Sequence, residues 1–150
     1  MKKQVLILSK VFPVSHTSAG APTGFEEKFL KQKIHTIRSN YDFWESKKKG
    51  INEGRMVLSI RQWTGKPYCS PQKEICQIHN ISLQKVTMVY AIDEEYPWVW
   101  INGKAVDIHE VAKNDGLSVS DFIEWFFGSN KTHKKGIFDG VCIQFTDFRY

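Results

Sequence analysis

The sequence predicts an α+β fold, a mostly antiparallel β-sheet or small barrel with a few helices on its rim. Three observations carry that expectation. From Arg55 the apolar residues recur with period two, Met56, Leu58 and Ile60 alternating with Val57, Ser59 and Arg61, as in a strand with one drier face. Asn102-Gly103 separates two short β-like runs, and Asn-Gly is the favoured pair of a type I′ hairpin because both central residues need positive φ. Two short segments, 109–114 and 119–127, read as helices; Ser118 caps the second, Asp121 follows three residues on, and Gly128 closes it.

The other elements follow in chain order. Residues 4–9 read as a buried first strand, and residues 10–22, with Pro13, Gly20 and Pro22, as a loop. A helix opens at Thr23, where Thr23 and Glu26 have the form of a capping box, and runs to about Gln32 with Phe25, Phe29 and Leu30 as its apolar stripe. Residues 34–38 have strand character. Residues 40–54 are polar and aromatic, a loop with a helical turn around Phe43, Trp44 and Glu45. A turn-rich stretch, 64–72, leads to a second long β region over 75–92, interrupted near Asn80, and 137–148 returns as a final strand. Trp98 and Trp100 share one strand face while Val99 and Ile101 fill the other; with both faces apolar, core or subunit interface is favoured over an exposed stacking platform. No internal repeat or low-complexity linker divides the chain, which supports one domain over 1–150.

Hydrophobic residues at 41% and charged residues at 25% describe an ordinary soluble globule. No apolar run approaches the length of a transmembrane helix, so no membrane is expected. The apolar stretch after Lys2-Lys3 ends at Lys10, too short for the core of a signal peptide. Three cysteines cannot all pair within one chain, and a cytoplasmic location is expected. The net charge of +5 is uneven: residues 1–50 hold ten Lys/Arg against four Asp/Glu, and the rest of the chain is close to neutral. That surplus favours an anionic partner such as nucleic acid, a nucleotide or a membrane headgroup, and does not choose among them.

Several familiar devices are absent. There is no Gly-x-Gly-x-x-Gly, no phosphate-binding loop and no Gly-x-Ser-x-Gly elbow. The five histidines show no paired ligand spacing and Cys69 to Cys76 is not Cys-x-x-Cys, so neither a metal nor a cofactor is expected. What remains is the run 33–38 in the basic third. Lys33 and Thr36 can meet only if the chain turns between them, with Lys33 in the turn leaving the helix and Thr36 opening the strand. A desolvated lysine with lowered pKa can take the proton of a threonine hydroxyl and make it a nucleophile. The plain alternative is a solvated helix-end lysine beside a β-branched strand residue.

The stretch Phe25-Glu-Glu-Lys-Phe-Leu-Lys-Gln-Lys33-Ile-His-Thr36-Ile-Arg38 resembles the signature of the ASCH family, a PUA-like β-barrel group in which a helix leads into Gly-x-Lys-x-x-Thr/Glu-x-Arg. It is most similar to the small bacterial N4-acetylcytidine amidohydrolases, which read Lys-Thr-Ile-Thr-Ile-Arg here. The resemblance implies Lys33 as general base, Thr36 as nucleophile and, from 112–122, Asp115 at the position of the proton-donating glutamate. Gly54-Arg55-Met56-Val57-Leu58 resembles the strand that follows the signature. The match spans roughly 25–60 and 110–145, leaving an insertion around 61–105, and departs from the family at Lys31 (glycine) and Asp115 (glutamate). By itself Asp115-Gly116 also reads as a helix-ending turn.

Arg38 can pair bidentately with a phosphate or carboxylate, or form a structural salt bridge. Tyr41 and Trp44 are placed to flank a nucleobase. Lys47 to Lys49 and Lys131 to Lys135 are basic clusters that suit either a nucleic-acid backbone or solvent. Three functions remain open: an amidohydrolase on N4-acylated cytidine-type nucleosides, a non-catalytic RNA-binding module, and an interaction protein without a site.

Overall fold

The computed structural model describes residues 1–128 and 136–150. In chain order its elements are β1 (Lys2–Ile7), α1 (Phe25–Lys28), β2 (His35–Arg38), α2 (Tyr41–Asn52), β3 (Met56–Trp63) and β4 (Gln72–Ile78). They continue with β5 (Ser82–Tyr90), β6 (Trp98–Ile101), β7 (Lys104–Val106), α3 (Ile108–Asn114), α4 (Val119–Phe127) and β8 (Gly136–Gln144). The fold is α+β. The strands form a three-stranded sheet ordered β1-β3-β4 and a five-stranded sheet ordered β2-β8-β5-β6-β7. All pairings are antiparallel except β1 with β3, which are joined by a long crossover through α1, β2 and α2. The barrel alternative does not form: the described strands make two separate sheets with open edges.

β3 is the spine of the smaller sheet. Met56 through Ile60 are all buried, so it has two covered faces where its period-two pattern predicted one; β1 and β4 flank it and α2 packs across it. β5 and β8 form the long centre of the other sheet, paired from Ser82↔Gln144 to Tyr90↔Gly136. Val86 and Met88 on one face of this sheet, and Val141 and Ile143 on the other, belong to the same core as Leu58 and Ile60. The β6–β7 turn has Asn102 at φ 50° and Gly103 at φ 77°, the two positive values a type I′ turn requires. Ser118 caps α4 by accepting from the Asp121 N–H, and Gly128 ends it at φ 79°.

Two local expectations are corrected, and for the tryptophan pair the core alternative is removed while the subunit-interface one stands. α1 is a single turn that ends as Leu30 adopts φ 62°; the Thr23 hydroxyl donates to the Ser9 carbonyl at 2.7 Å and accepts from the Phe25 N–H at 3.3 Å instead of the Glu26 N–H, so no capping box forms. Residues 41–52 are a full helix. The Asn40 side chain accepts from the Phe43 N–H at 3.0 Å, and Trp44 and Ile51, seven apart, point inward from an otherwise polar surface. Trp98 and Trp100 lie outside the core, stacked at 6.2 Å with Trp98 55% exposed, while Val99 and Ile101 fill the inner face. Cys69, Cys76 and Cys142 are free thiols, and no described helix is long and apolar enough to cross a membrane.

The cap of α2 gives a simple stability test. Asn40→Ala strands a helix N–H and is expected to cost about 1 kcal/mol. A urea midpoint that does not move would show that α2 is held by packing alone.

Candidate functional site

Lys33 reaches the interior because of how α1 ends. The Lys28 carbonyl collects the N–H groups of Lys31, Gln32 and Lys33, winding the chain into a tight knot after one helical turn. The chain then straightens: the Ile34 N–H bonds the Asn114 carbonyl, and β2 begins at His35. Lys33 thus sits in the turn before the strand and Thr36 inside the strand, the arrangement their juxtaposition needs. Lys33 is 2% exposed, so it is not a solvated helix-end lysine.

Asp115 comes from the other side of the molecule. It is the C-cap of α3 and is buried. Gly116 follows at φ +82°, and a Cβ there would lie 3.1 Å from Lys33 Cβ, so the turn closes onto Lys33 only with glycine. Asp115 therefore ends a helix and also joins the site. Lys33 Nζ donates to the Asp115 backbone carbonyl at 2.8 Å and to Asp115 Oδ1 at 3.1 Å. It also lies 4.3 Å from the centroid of the Phe25 ring, a desolvated cation–π contact.

A second line of polar groups backs Asp115. His35 Nδ1 is 3.4 Å from Asp115 Oδ1, and His35 Nε2 is 2.6 Å from the Tyr150 hydroxyl. That hydroxyl also accepts from Asn114 Nδ2 at 3.1 Å. Burial works to raise the Asp115 pKa, but the Lys33 charge and the adjacent His35 imidazole outweigh it and hold the carboxyl below its usual range. Burial lowers Lys33, more than Asp115 restores, and the nearby Arg38 charge adds to the lowering. Burial also raises the Tyr150 hydroxyl, which stays protonated. The buried Cys142 thiol is pushed well up and is no nucleophile.

Lys33, Thr36, Arg38 and Asp115 line one cavity, walled also by Phe25 and Trp125. Its volume is about 30 Å³, the room taken by a single water molecule. Thr36 is buried, and its hydroxyl makes no hydrogen bond among the described residues. Arg38 Nη2 donates to the Ile7 carbonyl at 2.6 Å, while its buried Nε has no partner. Among the described residues Arg38 has no carboxylate partner, so the salt-bridge alternative is not what holds it. Two cations and one carboxylate leave the cavity with a positive excess suited to an oxygen that gains negative charge.

Tyr41 and Trp44 are not brought to this cavity. Tyr41 bonds Glu45 and lines a shallow depression with Lys85, and Trp44 is buried in the core by the inward face of α2. Of the basic clusters, Lys47 lies over the Phe43 ring and Lys49 faces Glu53; residues 131–135 lie outside the described residues. His35 and Tyr150 were not singled out by the sequence, since 115 positions separate them and no spacing rule links them.

His16, Asp121 and Glu124 have the residue types of a metal site, with His16 Nε2 at 3.2 and 3.0 Å from the two carboxylates. The Ser18 N–H donates to His16 Nδ1 at 2.8 Å, which places the ring proton on Nε2. His16 thus presents a donor where a cation would need a lone pair, and the 10–22 loop is tied to α4 by the Thr17 N–H and hydroxyl, which donate to Glu124. No family model, curated protein or solved structure matches the chain.

Proposed function

We propose that this chain, whose strands form two open sheets and not a closed barrel, is an ASCH-like domain that hydrolyses the amide of an N4-acylated cytidine-type nucleoside. The observation that supports it most is the meeting of Lys33 with Asp115, 82 positions away, in a water-sized cavity that Thr36 and Arg38 also line. A lysine buried with a lowered pKa is a base; the same lysine in solvent is not.

In this reading Lys33, as the amine, takes the proton of the Thr36 hydroxyl or of a water beside it. The oxygen attacks the acyl carbon, and Arg38 stabilises the developing oxyanion. The new Lys33 ammonium is held by the Asp115 carbonyl and carboxylate and by the Phe25 ring, the contacts already in place. As the C–N bond breaks, the Lys33–Asp115 pair returns the proton to the leaving nitrogen. Water then releases the acyl group from Thr36 where Thr36 is the nucleophile. The products are a carboxylate and the free exocyclic amine. Asp115, held ionised, passes the proton on instead of storing it, a different task from a resting acid.

The test is acetate release from N4-acetylcytidine by the purified chain. Wild type is expected to turn over, and Lys33→Ala to fall by at least ~10²-fold. No release by wild type overturns the proposal, and RNA affinity that falls steeply with salt would then favour the RNA-binding module.

A further inference from the structure

The Lys33 cavity has room for one water and none for a ring, so the body of a substrate lies outside it. Next to it runs a groove of about 490 Å³, within the roughly 300–1,000 Å³ usual for small-molecule sites. The two share Ser9 in their walls, and Ile7, which lines the groove, gives its carbonyl to Arg38 of the cavity.

The groove has a distinctive chemistry. Ile7, Val11, Trp63, Pro67 and Tyr68 make it apolar. Lys10 and Lys66 are the charges in its lining, and no carboxylate is among the described residues that form it. Lys10 Nζ donates to the Thr64 carbonyl at 3.0 Å, which fixes its charge beside the loop 64–71. That loop is tied shut: the Thr64 N–H and hydroxyl both donate to the Pro71 carbonyl, and the Gly65 N–H donates to Ser70 Oγ.

Tyr68 is held within this loop at φ 63°, a conformation large side chains rarely adopt. The ring is 89% exposed, so packing inside the protein does not account for the strain. It stands 5.2 Å from the Trp63 ring at an interplanar angle of 49°. The loop thus presents a wedge of two aromatic faces flanked by two lysines, which fits a planar aromatic ligand carrying negative charge.

We propose that this groove binds a nucleoside phosphate, with the base stacked on Trp63 and Tyr68 and the phosphate at Lys10 and Lys66. The final step, in which an acylated exocyclic nitrogen crosses Ser9 toward Lys33, rests on the amidohydrolase reading; the binding site does not.

The experiment is calorimetric titration of the whole chain with cytidine 5′-monophosphate, cytidine and inorganic phosphate, beside the acetate-release assay. The monophosphate is expected to bind, and Tyr68→Ala to weaken it roughly 5- to 150-fold, the worth of one base–aromatic stack. Lys10→Ala combined with Lys66→Ala should weaken the monophosphate and leave cytidine unchanged. All three residues are exposed, so the variants keep the fold. No binding, affinity unaltered by Tyr68→Ala or by the lysine pair, or inorganic phosphate binding as tightly as the nucleotide each overturns the groove, whatever the hydrolysis assay gives. Binding that responds as expected without acetate release supports the groove and overturns the amidohydrolase.

Discussion

Asp115→Ala is expected to destabilise the protein by about 3–5 kcal/mol, because it leaves Lys33 buried without its counter-charge. That loss is large against the roughly 5–15 kcal/mol that holds a typical domain together. Lys33 Nζ would keep the position-115 carbonyl and the Phe25 ring, neither of which carries a full charge. His35 Nδ1 would lose the carboxylate it faces. Lys33 would escape the penalty only by shedding its proton, and its pKa is already lowered by burial. The companion variant is Lys33→Met with Asp115→Asn, which removes both charges and keeps the volume. It should be markedly more stable than Asp115→Ala, since a buried pair replaced by neutral groups of similar shape often costs little. Urea unfolding of the two variants decides the matter. A cost below about 1 kcal/mol for Asp115→Ala at a pH where Lys33 is still protonated would mean that water reaches Lys33, whereas a cost that is small only at alkaline pH would mean that Lys33 has shed its proton.

The elements that a single sequence reveals best are those whose signal is local. Asn102-Gly103 needed only two residues to announce its turn, and Ser118 with Gly128 bracketed α4. α2 was hidden because most of its surface is polar, and its inward face shows only at Trp44 and Ile51, too sparse a stripe to read as a helix. The same hidden helix explains why Tyr41 and Trp44 looked available to a base: in a loop they would flank the signature, but in α2 Trp44 turns inward. The site divides in the same way. Lys33, Thr36 and Arg38 lie within six positions, so their chemistry was legible together. Asp115 was reachable only through a motif resemblance, although the structure puts it in contact with Lys33. His35, Tyr150 and Asn114 form a hydrogen-bonded chain assembled by β2 and the residues after β8, and their partnership is a property of the sheet order. Trp63 and Tyr68 escaped notice because a backbone conformation, not a residue pattern, sets their rings side by side.

Both activity and stability are expected to rise with pH on the alkaline side, and Lys33 is the reason. In the unfolded chain its ammonium titrates near 10.4. In the fold its pKa is lower, because burial penalises the charged form and Arg38 repels it, while Asp115 offsets only part. Between the folded and unfolded values the unfolded chain binds more protons than the native one, so stability climbs with pH across that window. Asp115 gives the acid side the same sign. Burial tends to raise it, yet Lys33 and His35 hold it below its unfolded value, so its contribution is complete above about pH 4 and is lost as pH falls through the folded pKa. Lys33→Met should remove the alkaline rise. It should also weaken the acid-side dependence, because Asp115 then keeps only His35 to offset its burial. Unfolding free energies of wild type and Lys33→Met, measured in urea from about pH 2 to about pH 10, test both slopes by difference, which cancels the other titrating groups. Parallel slopes would mean that Lys33 is not desolvated. Catalysis adds a separate reading. If Lys33 is the base, kcat/KM for N4-acetylcytidine must increase with the amine form and level off above the same lowered pKa. A stability slope with a flat kcat/KM would leave Lys33 as a buried structural cation and move the base elsewhere.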